Sequence, residues 1–289
     1  MKKQYSIITG AANGLGKAFA CELSKRGINT ILIDLPETGL GELCKEIRKE
    51  SGTDSVCFEQ DLSLKDNIVE FTEEINNEYD IFMLINNVGT GGAELFDSVG
   101  VDYINRMIQL NVMATSLMAH QLIPNLKRQD KAYILNVSSM AAFSPMGYKT
   151  VYPASKAFIR YFSRGLCQEF RKTNIFVSVV CPGPMKTNAD TIRRIENQTF
   201  IGRFGLQSPE KVAEKAIRRL FKKDSLIISN FANRLNWVLM KIVPCCIKLP
   251  LLSRAMKEEA EMRDAKGEMR DAKEQGAGSR EQGSINYDL

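Results

Sequence analysis

Seven short apolar runs, each separated from the next by a helix-length stretch, leave this chain few folds to choose from. They read SIIT, TILIDL, SVCFEQ, IFMLIN, AYILNV, IFVSVV and LIIS, and they alternate with helical patterns. Strands joined through helices imply βαβ units and therefore a parallel sheet. With 289 residues and 44% hydrophobic content, the chain can bury a full core. The expectation is a single α/β domain over residues 1–229, followed by a C-terminal extension.

The first run opens onto a glycine cluster. In QYSIITGAANGLGKAFACELSKRG, Gly10, Gly14 and Gly16 fall between a strand and a helix with the spacing TGxxxGxG. Glycines are wanted where the backbone turns tightly and approaches a pyrophosphate, whose charge then rests on a helix N-terminus. An ordinary strand-to-helix turn would also accept them. The second run ends in Asp34, about where a ribose-binding acid belongs. There it would bind the 2′- and 3′-hydroxyls of NAD and repel the 2′-phosphate of NADP. Neither Ala11, Ala12 and Asn13 nor Leu35, Pro36 and Glu37 supplies an arginine for that phosphate. The residues therefore favour NAD(H) over NADP(H).

A second constellation lies in NVSSMAAFSPMGYKTVYPASKAF. Tyr152 and Lys156 are four residues apart, on one face of a helix, and Ser139 precedes the tyrosine by thirteen. An ammonium beside a phenol stabilises its anion and pulls a pKa of about 10 toward neutrality, as acid/base catalysis needs. A serine hydroxyl at the preceding strand end can hold a substrate oxygen against that phenol.

With these residues in place, the chain resembles a short-chain dehydrogenase/reductase, and the motifs match in order over about residues 1–230. Thr9 to Gly16 is similar to the coenzyme loop, and Asp61 stands where the family contacts adenine. Asn86-Asn87-Val88-Gly89 stands for the usual NNAG, and Asn111 for the fourth member of a catalytic tetrad. Cys181 to Thr187 matches the segment that closes over the nicotinamide. The resemblance implies a Rossmann-type, doubly wound, seven-stranded parallel sheet with helices on both faces. It implies catalysis by Asn111, Ser139, Tyr152 and Lys156. It also implies a cofactor site of Gly10, Ala12, Asn13, Gly14, Leu15, Gly16, Asp34, Asp61, Leu62, Asn87, Tyr152, Lys156, Pro182, Gly183, Met185 and Thr187. The reaction implied is interconversion of a ketone and a secondary alcohol by hydride transfer, with Tyr152 exchanging the proton. Lys156 would lower the tyrosine pKa and bond the nicotinamide ribose, Ser139 would position the substrate oxygen, and Asn111 would hold a proton-relaying water. A bland alternative for Asn111 is a buried polar cap on a helix kink. Val88 for the usual alanine recurs in the branch resembling 17β-hydroxysteroid dehydrogenases and long-chain 3-ketoacyl reductases. The helical stretches Val101–Lys127 and Tyr152–Lys172 match those that pair subunits in the family, so a homodimer or homotetramer is expected.

The competing reading is a catalytically silent, dinucleotide-sensing protein of the same fold. Such sensors lose the tyrosine or the lysine, and this chain keeps all four tetrad residues. Seven cysteines show no metal or disulfide spacing, and the sole histidine, His120, has no partner ligands in its helical stretch. No metal site and no nucleic-acid module is readable. Met1-Lys2-Lys3 runs directly into the first strand, so no signal peptide is read and a cytoplasmic location is expected.

The C-terminal third changes character. From Arg203 to Arg254 there are eleven Lys/Arg against three Asp/Glu, although the whole chain carries only +5. Within residues 230–256, Phe231, Leu235, Val238, Leu239 and Ile242 share one helical face, while Arg234 and Lys241 lie on another. Pro244 and Pro250 are expected to break any long helix, which with the basic residues argues against a transmembrane span. Two readings of the stripe stay open: packing against the substrate cleft or a neighbouring subunit, and peripheral contact with the cytosolic face of a membrane. Residues 257–289 repeat EMRDAK and lack apolar residues to bury, so disorder is expected there. Met140, Phe143, Met146 and Met185 near the expected cleft favour a 3-ketoacyl, 3-ketosphinganine-like or steroid substrate over a small polar sugar.

Overall fold

The computed structural model describes residues 3–93, 95–185, 205–257 and 260. Thr187, most of the segment after it, and the repeated EMRDAK units lie outside the described residues.

All seven apolar runs are strands: β1 (Gln4–Thr9), β2 (Asn29–Asp34), β3 (Ser55–Glu59), β4 (Asp80–Asn86), β5 (Ala132–Val137), β6 (Ile175–Cys181) and β7 (Leu226–Ile228). They pair in parallel in the order β3-β2-β1-β4-β5-β6-β7. The order reverses between β1 and β4, and a crevice opens at the carboxyl ends of the strands at such a reversal. Helices α1 (Gly14–Lys25), α2 (Leu40–Ser51) and α7 (Pro209–Phe221) cover one face. Helices α3 (Lys65–Glu78), α5 (Thr115–Lys127) and α6 (Val151–Glu169) cover the other. Both faces are buried, which is why the strands are apolar without alternation. On β1, Ile8 joins Phe19, Leu23 and Ile217 on one side, and Ile7 joins Phe71, Ile75 and Leu122 on the other.

The predicted helix over Val101–Lys127 is continuous but not uniform. It runs as α4 (Val101–Ile108), a π-helical turn over Gln109–Ala114, and α5. The turn is centred on Asn111, and π-turns often mark functional positions.

A buried polar seam crosses the middle of the molecule. Asn86 Nδ2 donates to Asn136 Oδ1 at 2.9 Å and to the Thr115 carbonyl at 3.2 Å. Asn136 Nδ2 donates to Ser163 Oγ at 2.9 Å, and Ser163 Oγ in turn to the Ile159 carbonyl. The seam ties β4 and β5 to the start of α5 and to α6, the helix that carries Tyr152 and Lys156.

The C-terminal segment differs from expectation at Pro250. Pro244 does end α8 (Phe231–Ile242), but a second helix follows over 245–257 with Pro250 inside it. The apolar stripe of α8 is left largely uncovered by the described residues. Phe231, Leu235, Val238, Leu239 and Ile242 are all exposed, whereas Asn233 is buried and Trp237 packs on Phe143. The Asn233 amide donates to the Gly205 carbonyl at 3.2 Å.

Replacing Asn136 by alanine takes from Asn86 Nδ2 one of its two acceptors and from Ser163 Oγ its donor, both in the interior. The expected loss is about 2 kcal/mol, read as a lower urea midpoint at unchanged slope. A loss under about 0.5 kcal/mol would show that the seam supports little.

Candidate active site

The glycine loop follows β1 at the switch point. Gly10 and Gly14 have φ of +64° and +54°, which a side chain resists, and a Cβ on Gly16 would meet the Gly10 carbonyl oxygen at 1.8 Å. The loop is therefore restricted to glycine for reasons of shape. At its end α1 starts without a side-chain cap from Asn13 and with no acid in its first turn. Its leading N–H groups and positive dipole end are thus left for an anion. Asp34, ending β2, accepts the Ala12 N–H on one oxygen and the Leu35 N–H on the other, both at 2.8 Å. The acid expected to meet the ribose also braces the loop. Asn87 closes the other side: its amide donates to the carbonyls of Thr9 and Gly10 at 3.1 and 3.0 Å. Thr9 Oγ1 accepts the N–H groups of Asn87 and Val88, both at 3.0 Å. Leu15 and Leu62 are buried beside this crevice, and Asp61 Oδ1 accepts the Ser63 N–H at 2.9 Å. These residues fit a dinucleotide: a glycine cradle, an uncapped helix N-terminus and an acid one strand away.

The catalytic candidates meet at the carboxyl ends of β4, β5 and β6. Ser139 caps the short 3-10 turn Met140–Phe143, its Oγ accepting the Ala141 N–H at 3.1 Å. As acceptor in that bond, it keeps its own O–H for a substrate oxygen. Lys156 is 5% exposed, and its ammonium donates to the Val137 carbonyl at 3.1 Å. Burial pulls its pKa down to about 8 against a small opposing pull from Cys181. Its Nζ lies 5.9 Å from the centre of the Tyr152 ring, and Lys149 Nζ lies 5.2 Å from it. Two ammonium groups thus flank one phenol. Asn111 is fully buried in the π-turn. Its Oδ1 accepts the Thr90 N–H, and its Nδ2 donates to the Thr90 carbonyl and to Ser155 Oγ, all at 2.9 Å. Ser155 Oγ passes the chain on to the Tyr152 carbonyl at 2.8 Å. These bonds tie the π-turn at Asn111 to the helix of Tyr152.

Beyond β6, Pro182 is buried, and its carbonyl accepts the Met140 N–H at 2.8 Å. Gly183 abuts Asn233, and Met185 bridges to Gln207.

Sequence reasoning missed several members. Lys149 and Ser155 have the bonds and distances just described. Gly91 lies flat against Tyr152, where an added Cβ would come within 2.2 Å of the ring. Ser138 Oγ donates to the Lys156 carbonyl at 2.7 Å, pinning α6 to the end of β5. Ser155, three residues after Tyr152, was the one with a readable signal.

Residues 4–198 match the short chain dehydrogenase family. The chain belongs to that family. It is an oxidoreductase of the CH–OH and C=O groups, and its fold is one that binds NAD(P). Among its relatives is the very-long-chain 3-oxoacyl-CoA reductase of Anas platyrhynchos, 34% identical, the match spanning 71% of this chain and 70% of that one. Another is 17-beta-hydroxysteroid dehydrogenase type 3 of Homo sapiens, 32% identical over 64% of this chain and 60% of that one. A solved 7beta-hydroxysteroid dehydrogenase shares the fold with a TM-score of 0.75 at 22% identity, covering 83% of this chain and 93% of that one.

Lys156 is held at an energetic cost. Lys156→Met should leave the melting temperature at pH 7 equal or raised, because a buried charge with one hydrogen bond is removed. Dinucleotide affinity should fall at least about tenfold with the ribose partner gone. The unfolded lysine holds its proton between pH about 8 and its ordinary value of 10.5, while the folded one releases it. Wild type should therefore gain stability relative to the variant as pH rises through that window. A variant much less stable at pH 7, with unchanged dinucleotide affinity, would contradict this.

Proposed function

We propose that this short-chain dehydrogenase interconverts a ketone and a secondary alcohol on an apolar, lipid-like molecule of 3-ketoacyl, 3-ketosphinganine or steroid type, using NAD(H) in preference to NADP(H). The observation that carries the reading is the joining of two features. A phenol flanked by two ammonium groups stands beside an apolar wall that begins directly after Ser139. In that wall Met140 is buried, and the Phe143 ring meets Trp237 of α8 edge-on at 6.3 Å. The substrate classes named for the duck and human relatives point the same way.

A bound dinucleotide supplies or accepts the hydride at the substrate carbon. The chain's residues handle the proton. In reduction, Tyr152 gives its phenolic proton to the carbonyl oxygen, which Ser139 holds. In oxidation, the tyrosinate, stabilised by Lys156 and Lys149, takes the alcohol proton. Lys156 also binds the nicotinamide ribose, and Asn111 sets the lysine and helix α6 in register for that exchange while ordering a water for proton relay. Asp34 binds the ribose hydroxyls, and its charge disfavours a 2′-phosphate. Gly10, Ala12, Asn13, Gly14, Leu15 and Gly16 hold the diphosphate side, Asp61 and Leu62 the adenine, and Asn87, Pro182, Gly183, Met185 and Thr187 the nicotinamide end.

Subunits pair through α4–α5 and α6, where Val101, Ile108, Phe158 and Tyr161 stand exposed. Phe158 stacks on Phe162 at 5.7 Å along that face. All seven cysteines are free thiols, which supports a reducing, cytoplasmic compartment.

Purified protein assayed with NADH and NADPH against long-chain 3-ketoacyl, ketosphinganine and steroid ketones tests the reading. Tyr152→Phe should lower turnover by about 10²–10⁴, with dinucleotide affinity within a few-fold of wild type. Retention of most of the wild-type rate would remove Tyr152 from the mechanism, and a tenfold or greater preference for NADPH would remove Asp34 from cofactor choice.

A further inference from the structure

Helix α8 is built inside out. Its apolar residues recur as a helix core does, yet they face water: Phe231 is 81% exposed and Ile242 72%. The stripe continues on helix 245–257 through Ile247 and Leu251, both more than half exposed. Single exposed apolar residues are ordinary, but a contiguous stripe across two helices marks an interaction surface. No helix among the described residues is long and apolar enough to cross a membrane, so the stripe is not a span.

Charge identifies what covers it. Residues 230–256 contain Arg234, Lys241, Lys248 and Arg254 and not one Asp or Glu. A second copy would bring the same cations against these. The chain's own residues 261–289 offer little apolar surface: Met262, Met269, Ile285, Tyr287 and Leu289 are their large apolar residues. An anionic lipid surface satisfies both halves of the pattern, taking the apolar stripe into its headgroup boundary and the cations against its phosphates. Lys241 lies 4.0 Å over the Trp237 ring, and Lys248 donates to the Met240 carbonyl at 2.6 Å. Lys248 thus also ties the second helix to α8.

These helices rest on the segments that carry the site. Trp237 packs on Phe143, four residues after Ser139, and Ser253 Oγ accepts the Gly147 N–H at 2.8 Å, five residues before Tyr152. The intervening Tyr148 has φ +60°, a strained value for a bulky residue, so this loop is held in place rather than merely tolerated. We propose that α8 and helix 245–257 form a docking face for anionic lipid, which sets the mouth of the substrate cleft against the bilayer so that an apolar ketone enters from the lipid. Docking itself is independent of the reaction; delivery rests on the apolar-substrate reading above.

The test uses the full chain without substrate first. Wild type should sediment with phosphatidylglycerol-containing vesicles and not with pure phosphatidylcholine, and release as salt rises from about 0.05 to 0.5 M. Leu235→Ser/Val238→Ser/Ile242→Ser should weaken vesicle binding at least about tenfold while the melting temperature falls little, because all three side chains lie at the exposed surface. Arg234→Glu/Lys241→Glu should abolish the preference for anionic vesicles. A large fall in melting temperature for the serine variant, or no vesicle binding by wild type, overturns docking. So does a serine variant that drops to a smaller species in light scattering while wild type ignores vesicles, since the stripe is then a subunit interface. In the second arm, vesicle-borne ketone should be reduced several-fold faster by wild type than by the serine variant, with equal rates on a water-soluble ketone. Equal rates on both ketones overturn delivery. Vesicle binding with no ketone reduced by either protein leaves docking standing and defeats the substrate reading instead.

Discussion

One buried ammonium sets the terms for the rest of this structure. Lys156 lies in the interior, where a charge is disfavoured, and its ammonium donates to the Val137 carbonyl. Desolvation lowers its pKa to about 8, so the charge it carries at neutral pH is maintained against the fold's own preference. Its surroundings are correspondingly over-determined. Ser138 pins the Lys156 carbonyl, Ser155 joins the Tyr152 carbonyl to Asn111, and the Asn86–Asn136–Ser163 seam locks α6 to the sheet. Each of these bonds fixes a helix whose exposed face would not otherwise hold it to within the tolerance that proton transfer demands.

The fold and the site were legible to different depths. The seven strands were readable because parallel strands covered on both faces have no reason to alternate, so each appears as an unbroken apolar run. Tyr152 and Lys156 were readable because a spacing of four on a helix puts both on one face, and Ser139 because it stands at the end of the preceding strand. Lys149 and Gly91 were not. Their roles depend on which loop crosses which helix, and nothing local to Gly91 says that a tyrosine ring from another segment rests on it. The π-turn at Asn111 was hidden for a related reason: one extra residue per turn leaves the apolar pattern on either side intact.

The C-terminal helix shows the limit of periodicity most clearly. Spacing at Phe231, Leu235, Val238, Leu239 and Ile242 established that α8 has an apolar face, but not the direction in which that face points. Asn233 and Trp237 decide the direction: the Asn233 amide is committed to Gly205 and Trp237 packs on Phe143, so that side turns inward while the stripe, Arg234 and Lys241 are left outside. Pro250 was misread by the same local logic. Its missing N–H costs one bond, and the helix around it is retained by contacts such as Ser253 on Gly147.

The mechanism proposed above divides the labour between a cofactor-borne hydride, a proton from Tyr152, and a wall of Met140, Phe143 and Trp237 facing an apolar ketone. The most direct measurement is product analysis by mass spectrometry after incubating the protein with nicotinamide-4-deuterated NADH and a long-chain 3-keto substrate. The account predicts an alcohol carrying one deuterium at the former carbonyl carbon, with the hydroxyl hydrogen drawn from solvent through Tyr152. Bound dinucleotide with no labelled alcohol from any apolar ketone would contradict it.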